Sequence, residues 1–171
     1  MSEREELALK LWECGAIRIS DGELPLLWDG AKTLLPGVRE ALLDALESMV
    51  RDHYAAAEAV LGGEWAALLA ERLGLPLNPA ELPSRPLVVA ETVAEGEDLR
   101  QLTLPIRESG RSVAVAALFQ FGLESAREKL DKADVRVHWL TDLETAAAVG
   151  LQQGILEFEE YDALRSVTEG R

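Results

Sequence analysis

The alternation of buried-strand segments with amphipathic helical segments is the feature that most constrains how this chain folds. Apolar and β-branched runs predict strands at 86–90, 112–121 and 135–140, and a shorter apolar run, 54–61, leads into a glycine pair. Helical patterns separate these runs along the chain. This order predicts an α/β fold, with a parallel sheet covered by helices on both faces.

Apolar residues at helical spacing mark the segments that cover the sheet. In 38–53 the stripe runs through Leu42, Leu46 and Val50, and 3–14 ends at Cys14, a small residue expected to be buried. The predicted helices are 3–14, 38–53, 64–74, 98–109 (interrupted near Pro105), 123–134, 142–153 and 158–167. The glycine- and proline-rich segments 15–30 and 75–86 are predicted to form short extended pieces and loops.

The acidic composition limits the partners of the chain. Its formal net charge is −14, from 17 basic and 31 acidic residues, and only four residues are lysines. Nucleic acids and anionic membranes are bound by clusters of Lys and Arg, and no such cluster is visible here. We therefore expect neither a nucleic acid nor a membrane as a partner.

Cysteine content and the first residues of the chain indicate its compartment. Cys14 is the single cysteine, which excludes an internal disulfide and fits a reducing cytoplasm. The opening MSEREELALK is charged rather than apolar, and no apolar run approaches the roughly 18 residues of a membrane span. A soluble cytoplasmic protein with one domain over 1–171 is expected.

Two strand-to-helix turns could hold a ligand. The first carries Gly62 and Gly63, and the second runs through an acidic stretch around Gly96. Both place backbone N–H groups at a helix N-terminus, which suits an anion, and ligands of α/β sheets lie at the carboxyl ends of the strands. Each turn taken alone is more often a tight connection than a binding site.

The order of these segments resembles the orotate phosphoribosyltransferase family over nearly the whole chain. WECGAIRISDGELPLLWDG is similar to the family's first helix and hood strand, and LGGEWAALLAERLGLPL to its pyrophosphate loop and following helix. VVAETVAEGED stands in the place of the phosphoribosyl pyrophosphate signature, and WLTDLETAAAVGLQQGILEFEEYDALRSV is similar to the closing helices. The resemblance implies a Rossmann-like phosphoribosyltransferase core over 36–171, with 1–35 forming an N-terminal helix and a small hood.

The signature segment departs from the family pattern, which reads roughly Val-Val-Glu-Asp, two hydrophobic residues, then Thr-Thr-Gly-Gly-Ser. In the family the two acids contact the ribose hydroxyls, and the Thr-Thr-Gly-Gly-Ser turn wraps the 5′-phosphate. Aligned without gaps, this chain has Ala90 and Glu91 for the two acids, then Ala94, Glu95, Gly96, Glu97 and Asp98 for the turn. Three added carboxylates at about 1–2 kcal/mol each would lower phosphate affinity by several powers of ten.

Two further departures remove positive charge. The family's flexible loop, which carries Lys and His to the neighbouring subunit's site, is replaced by the short 77–87 connection, whose only cation is Arg85. Glu23 also precedes the turn at which the family usually has Lys or Arg. The sequence therefore predicts an orotate phosphoribosyltransferase-like protein with weakened or lost phosphoribosyl pyrophosphate binding and with a regulatory or ligand-binding role, for which a nucleotide or a base is the expected ligand.

Two other functions stay open at this point. An active glycosyltransferase of pyrimidine nucleotide synthesis would use Mg²⁺, and a non-enzymatic structural or interaction protein would need no ligand. The resemblance implies a homodimer. No catalytic or metal-binding residue is assigned, although the acids of the second turn could hold a divalent cation. The predicted ligand-binding residues are Gly62, Gly63, Glu91, Glu95, Gly96, Glu97 and Asp98.

The histidines and tryptophans are expected in structural positions and not in a catalytic site. His53 and His138 lack the spacing of a metal site and are expected at the surface or an interface. The four tryptophans are expected in the core or at a dimer seam, because large aromatic side chains dominate both. They are Trp12, Trp28, Trp65 and Trp139.

Overall fold

The computed structural model describes residues 1–20, 26–93, 97–122, 128 and 135–168, with the backbone alone for 97–102. Within these residues no helix is both long and apolar enough to span a membrane. In chain order the elements are α1 (Glu3–Cys14), β1 (Ile17–Ile19), β2 (Leu26–Trp28), a 3-10 helix (Gly30–Leu34), α2 (Val38–His53), β3 (Ala59–Gly62), α3 (Glu64–Leu73), β4 (Pro86–Val93), α4 (Glu97–Glu108), β5 (Val113–Gln120), β6 (Val135–Asp142), α5 (Leu143–Gln152) and α6 (Phe158–Thr168).

The predicted parallel sheet is confirmed. Its strand order is β3-β4-β5-β6, and every neighbouring pair is parallel. The register places Leu61 beside Val88 and Val88 beside Val115. Apolar residues fill β4 and β5 without strict alternation with polar ones, because helices cover both faces of a sheet of this kind.

The helices after β3 and β4 leave the sheet in opposite directions. Val60 in β3 pairs with Leu87 of β4 on one side and with Leu77, which follows α3, on the other. After β3 the chain therefore passes through α3 to Leu77 at the outer edge of the sheet. After β4 it passes through α4 to β5, which lies on the opposite side of β4 from β3. Side chains of α3 pack in the same core as Leu87, whereas Ile106 of α4 packs on the opposite face with Val88. Ligands of α/β proteins bind at this kind of reversal, outside the carboxyl ends of the two strands.

The first and last helices of the chain pack together beside β6. The indole of Trp12 in α1 donates a hydrogen bond to the Ala146 carbonyl of α5 at 2.8 Å. Arg4 forms an ion pair with Asp142 at 3.2 Å, and Thr141 donates to the carbonyl of Arg4. This layer covers the same sheet face as α2 and α3. Next to it, β1 and β2 form a short antiparallel pair with Ile17 opposite Trp28.

Several predicted boundaries differ from the structure. β4 continues through Val93 instead of ending at residue 90, since Thr92 and Val93 pair with Phe119 and Gln120 of β5. Pro105 does not interrupt α4, which continues to Glu108 although the proline lacks the N–H for one helical hydrogen bond. Apart from residue 128, the predicted helix 123–134 lies outside the described residues, as does the hood residue Glu23.

Candidate functional site

The carboxyl ends of β3 and β4 enclose a cavity of about 400 Å³. It brings together two of the predicted ligand-binding residues, Gly63 after β3 and Glu91 in β4, and Gly62 directly precedes Gly63. The full lining is Gly30, Ala31, Leu34, Gly63, Glu64, Trp65, Val89 and Glu91. Sequence reasoning missed the wall formed by the 3-10 helix, since nothing in its residues marks a site.

The acidic turn after β4 is only partly described. Residues 95 and 96, and the side chains of residues 97 and 98, lie outside the described part of the chain. The backbone of α4 begins at Glu97, as the turn-then-helix pattern predicts. The placement of the predicted residues Glu95, Gly96, Glu97 and Asp98 around a ligand therefore stays a prediction.

Gly62 holds the end of β3 in a conformation that requires glycine. Its φ is +142°, and a Cβ atom there would lie 2.6 Å from the carbonyl oxygen of Val89. Asn78 fixes the same residue from the other side: Gly62 N–H donates to Asn78 Oδ1 at 3.0 Å, and Asn78 Nδ2 donates to the Gly62 carbonyl at 2.9 Å. The backbone at Gly62 is therefore held in place by β4 on one side and by Asn78 on the other. At Gly63 a Cβ atom would meet nothing within 4 Å.

Glu91 is the acid that the cavity presents from β4. A Cβ atom at Gly30 would lie 2.5 Å from Oε1 of Glu91, so the glycine that opens the 3-10 helix makes room for this carboxyl. Burial raises the pKa of Glu91, and the negative charge of Glu64 acts in the same direction, while the Trp28 indole opposes both. The carboxyl remains exposed to the cavity despite this partial loss of hydration.

Two indole Nε1 atoms, those of Trp28 and Trp65, are buried beside the cavity. Among the described residues neither forms a hydrogen bond of regular geometry, and that of Trp28 lies close enough to the Glu91 carboxyl to lower its pKa. Trp65 is 3% exposed, so it belongs to the core as predicted, and it also forms a wall of the cavity. Trp28 packs against Phe119 with ring centroids 5.5 Å apart.

The charge of the cavity favours ligands that are not strongly anionic. Its described lining contains two carboxylates, Glu64 and Glu91, and no cationic side chain. The nearby Lys32 of the 3-10 helix is exposed and does not line the cavity. Carboxylate oxygens suit Mg²⁺, but among the described residues no three His, Cys, Asp or Glu side chains lie close enough to hold a metal ion.

We expect Glu91→Gln to raise the free energy of unfolding at pH 7 by a few tenths of a kcal/mol. Because the folded-state pKa of Glu91 is raised above 4.5, its ionisation costs stability as the pH rises through that pKa. The gain should be full above the raised pKa and should vanish below pH 4.5. Urea unfolding of both proteins at pH 4 and pH 7 measures it, and a gain that is larger at pH 4 would contradict the assignment.

The structure also unites two histidines that the sequence leaves unconnected. The rings of His53 and His138 stack with centroids 3.9 Å apart, and the Tyr54 hydroxyl lies between His138 Nδ1 and the Val115 carbonyl oxygen. Burial raises the pKa of Tyr54 to about 12, so this hydroxyl stays protonated. The histidine pair lies away from the cavity at β3 and β4, and no local pattern could have revealed it. Cys14 is half-buried and packs against the core.

Comparison with known proteins supports the predicted fold and the predicted family resemblance. No family model matches the chain. It is 26% identical over 199 residues to orotate phosphoribosyltransferase of Bacillus caldolyticus, covering 97% of this chain and 96% of that protein. Identity to the Bacillus mycoides enzyme of the same name is 25%, covering 95% of this chain and 93% of that protein.

Solved structures give the same result. Orotate phosphoribosyltransferase from Aeropyrum pernix superposes with a TM-score of 0.75 at 25% identity, covering 86% of this chain and 99% of that one. UMP synthase of Leishmania donovani gives 0.82 at 16% identity, and the chain spans 43% of its length while 99% of the chain is covered. The predicted fold class is confirmed: the core has the fold of the phosphoribosyltransferase structures on which it superposes, and the curated homologues are orotate phosphoribosyltransferases.

Proposed function

We propose that this chain is an orotate phosphoribosyltransferase-like protein whose phosphoribosyl pyrophosphate binding is weakened or lost, and whose cavity takes a less anionic ligand. The observation that carries the proposal is the lining of the cavity at β3 and β4. Two carboxylates and no described cation surround the place where a phosphorylated substrate would have to lie. Phosphoribosyl pyrophosphate carries several negative charges, so each of these carboxylates opposes it.

The raised pKa of Glu91 gives a second line of support. Its ionised form is already destabilised by partial burial and by Glu64. A phosphate group placed in the same cavity adds a further negative charge and no described counter-charge. A neutral ligand with N–H or O–H donors, such as a base or the ribose of a nucleoside, would instead give the carboxylates hydrogen bonds.

The signature segment extends the same argument along the sequence. Glu95, Glu97 and Asp98 stand where the family has hydroxyl and glycine residues that wrap the 5′-phosphate. In sequence they follow β4 closely, and the cavity wall at the end of β4 already carries Glu64 and Glu91. We include Gly62, Gly63, Glu91 and Gly96 in the proposed site, with Gly63 offering a backbone N–H group, since the Gly62 N–H already donates to Asn78 Oδ1.

An active glycosyltransferase is the second candidate, favoured by the similarity to orotate phosphoribosyltransferases over almost the full chain. The transfer would need Mg²⁺, which supplies positive charge to the phosphates. Glu91 and Glu64 are the described carboxylates that could contact such an ion, and substrate phosphates would have to complete its coordination.

A cytoplasmic homodimer with a single domain over 1–171 completes the proposal, and light scattering after gel filtration tests the dimer.

The test is a calorimetric titration with phosphoribosyl pyrophosphate, Mg²⁺ and orotate, paired with an assay for orotidylate. We expect no saturable binding at micromolar concentration and no product. A repaired variant, Glu95→Thr with Glu97→Gly and Asp98→Ser, should gain affinity about a hundredfold or more, since each removed charge contributes about 1–2 kcal/mol.

The matched control removes three exposed charges that do not line the cavity: Glu13→Gln, Glu108→Gln and Glu159→Gln. It should leave phosphoribosyl pyrophosphate binding unchanged. Micromolar binding or orotidylate formation by the unmodified chain would contradict the proposal and favour the active enzyme. If a thermal-shift screen of bases and nucleosides also finds no ligand, the chain is a structural or interaction protein.

A further inference from the structure

A second, larger cavity of about 580 Å³ opens at the other end of the sheet. Pro86 is the first residue of β4, Ser112 directly precedes β5, and Arg136 is the second residue of β6, so these lining residues lie at the amino ends of the strands. The site at Gly62 and Glu91 lies at the carboxyl ends. The two cavities are therefore separated by the length of the sheet.

The amino-end cavity differs from the rest of this acidic chain in its charge. Arg85 and Arg136 both line it, and Asp52 is the one acid among its described lining residues. Both arginines are exposed, and neither forms an ion pair with a described carboxylate. Two guanidinium groups without a described carboxylate partner therefore lie beside one cavity in a chain of net charge −14.

The histidine pair lies beside these arginines. His53 lines the cavity and stacks on His138, and the guanidinium of Arg136 lies 5.7 Å from the centre of the Tyr54 ring. Burial lowers the pKa of His138, and the neighbouring His53 and Arg136 lower it further. Protonation of His138 is thus opposed by groups of the same charge, and an anion in the cavity would relieve this repulsion.

The remaining surface of the cavity is apolar or carries hydroxyl groups. Alanine, proline and leucine side chains form one part, and Ser84 and Ser112 supply hydroxyl donors near the arginines. The volume is that of cavities that hold small organic molecules. The apolar lining residues are Ala55, Ala56, Ala57, Pro86, Leu87 and Ala114.

We infer that this amino-end cavity binds a small organic anion, with its carboxylate or phosphate oxygens at Arg85 and Arg136 and its apolar part on the alanine surface. Guanidinium groups pair with such oxygens through two parallel hydrogen bonds, which makes arginine the usual partner of both head groups. The site is separate from the cavity of the proposed function, and its occupancy does not depend on that function.

Binding should strengthen as the pH falls from 8 to 6. The groups that face the cavity are Asp52 and His53 at the end of α2, Tyr54 after it, Arg85 before β4, and Arg136 with the adjacent His138 in β6. His138 does not line the cavity itself, but it stacks on His53 and adjoins Arg136, so a bound anion would favour its protonation by offsetting the charge of Arg136.

The experiment titrates the full chain with phenyl phosphate and with benzoate at pH 6 and pH 8, with phenol as the uncharged control. The two anions distinguish a phosphate head group from a carboxylate. Proton NMR follows the two histidine rings, which are the only ones in the chain, and His53→Gln assigns them. We expect saturable binding of at least one anion, tighter at pH 6, with a shift of the His138 resonance and none with phenol.

Arg85→Ala and Arg136→Ala should each weaken binding about tenfold or more, and circular dichroism checks that both variants fold. Arg39→Ala is the matched control, because it removes the same charge from an exposed arginine about 20 Å along α2 from His53. It should leave the affinity unchanged. Absence of saturable binding by both anions, or equal weakening in all three variants, would overturn the inference.

Discussion

Phe119→Ala is expected to lower the free energy of unfolding by about 3–5 kcal/mol. The Phe119 ring is completely buried in β5, and its centroid lies 5.5 Å from that of Trp28 and 5.2 Å from that of Phe121. Its loss would leave a void beneath β2 that the rigid sheet cannot fill. Trp28 would lose its packing partner, and its indole would no longer be held in place beside Glu91.

Urea unfolding at pH 7 measures this effect, and Phe158→Ala is the matched control. The Phe158 side chain is 65% exposed, so the same truncation there should change the free energy of unfolding by less than about 0.5 kcal/mol. If Phe119→Ala unfolds the chain completely, Phe119→Leu gives a smaller and measurable loss. A loss below 1 kcal/mol for Phe119→Ala would mean that packing of Phe119 against Trp28 contributes little to the stability of the fold.

The second large effect is expected for Gly62→Ala, at about 2–4 kcal/mol. The backbone of Gly62 has a φ of +142°, which residues with a Cβ atom rarely adopt, and the added atom would lie 2.6 Å from the Val89 carbonyl oxygen. Relief requires either a shift of β3 away from β4 or the loss of the two hydrogen bonds from Asn78. The carboxyl-end cavity should change shape in either case.

Gly63→Ala separates this effect from a general loss of glycine flexibility. An alanine Cβ at Gly63 meets no atom within 4 Å, although the backbone there, with φ −96° and ψ −136°, lies outside the regions common for residues with a Cβ atom. Gly63→Ala therefore keeps a backbone cost without the steric clash, and thermal and urea unfolding should show a smaller change for it than for Gly62→Ala. Similar losses for the two variants would contradict the close approach of β3 to the Val89 carbonyl.

The elements that the sequence predicted well are those with a local signal. The stripe through Leu42 and Leu46 marks α2, which spans Val38–His53 as predicted, and Gly74 ends α3 in a left-handed conformation. The end of β4 was predicted too early because Glu91 and Thr92 are polar. Pairing with β5, which lies far along the chain, decides that boundary, and local composition does not contain this information.

The same distinction holds for the two cavities. The glycine pair and Glu91 could be proposed because they follow strands directly in sequence. Gly30 and the arginine cavity could not, because tertiary packing alone brings their residues together. His53 and His138 are the clearest case, since 85 positions separate two rings that stack.

The contact between α1 and α5 also has a consequence for synthesis on the ribosome. Trp12 and its hydrogen-bond partner Ala146 are 134 positions apart, and Arg4 and Asp142 are 138 apart. At about 5–20 residues per second, α1 emerges roughly 7–30 seconds before α5 exists. During that interval the apolar side of α1 is a potential client surface for chaperones. Such distant contacts also slow folding, because a long loop must close before they form.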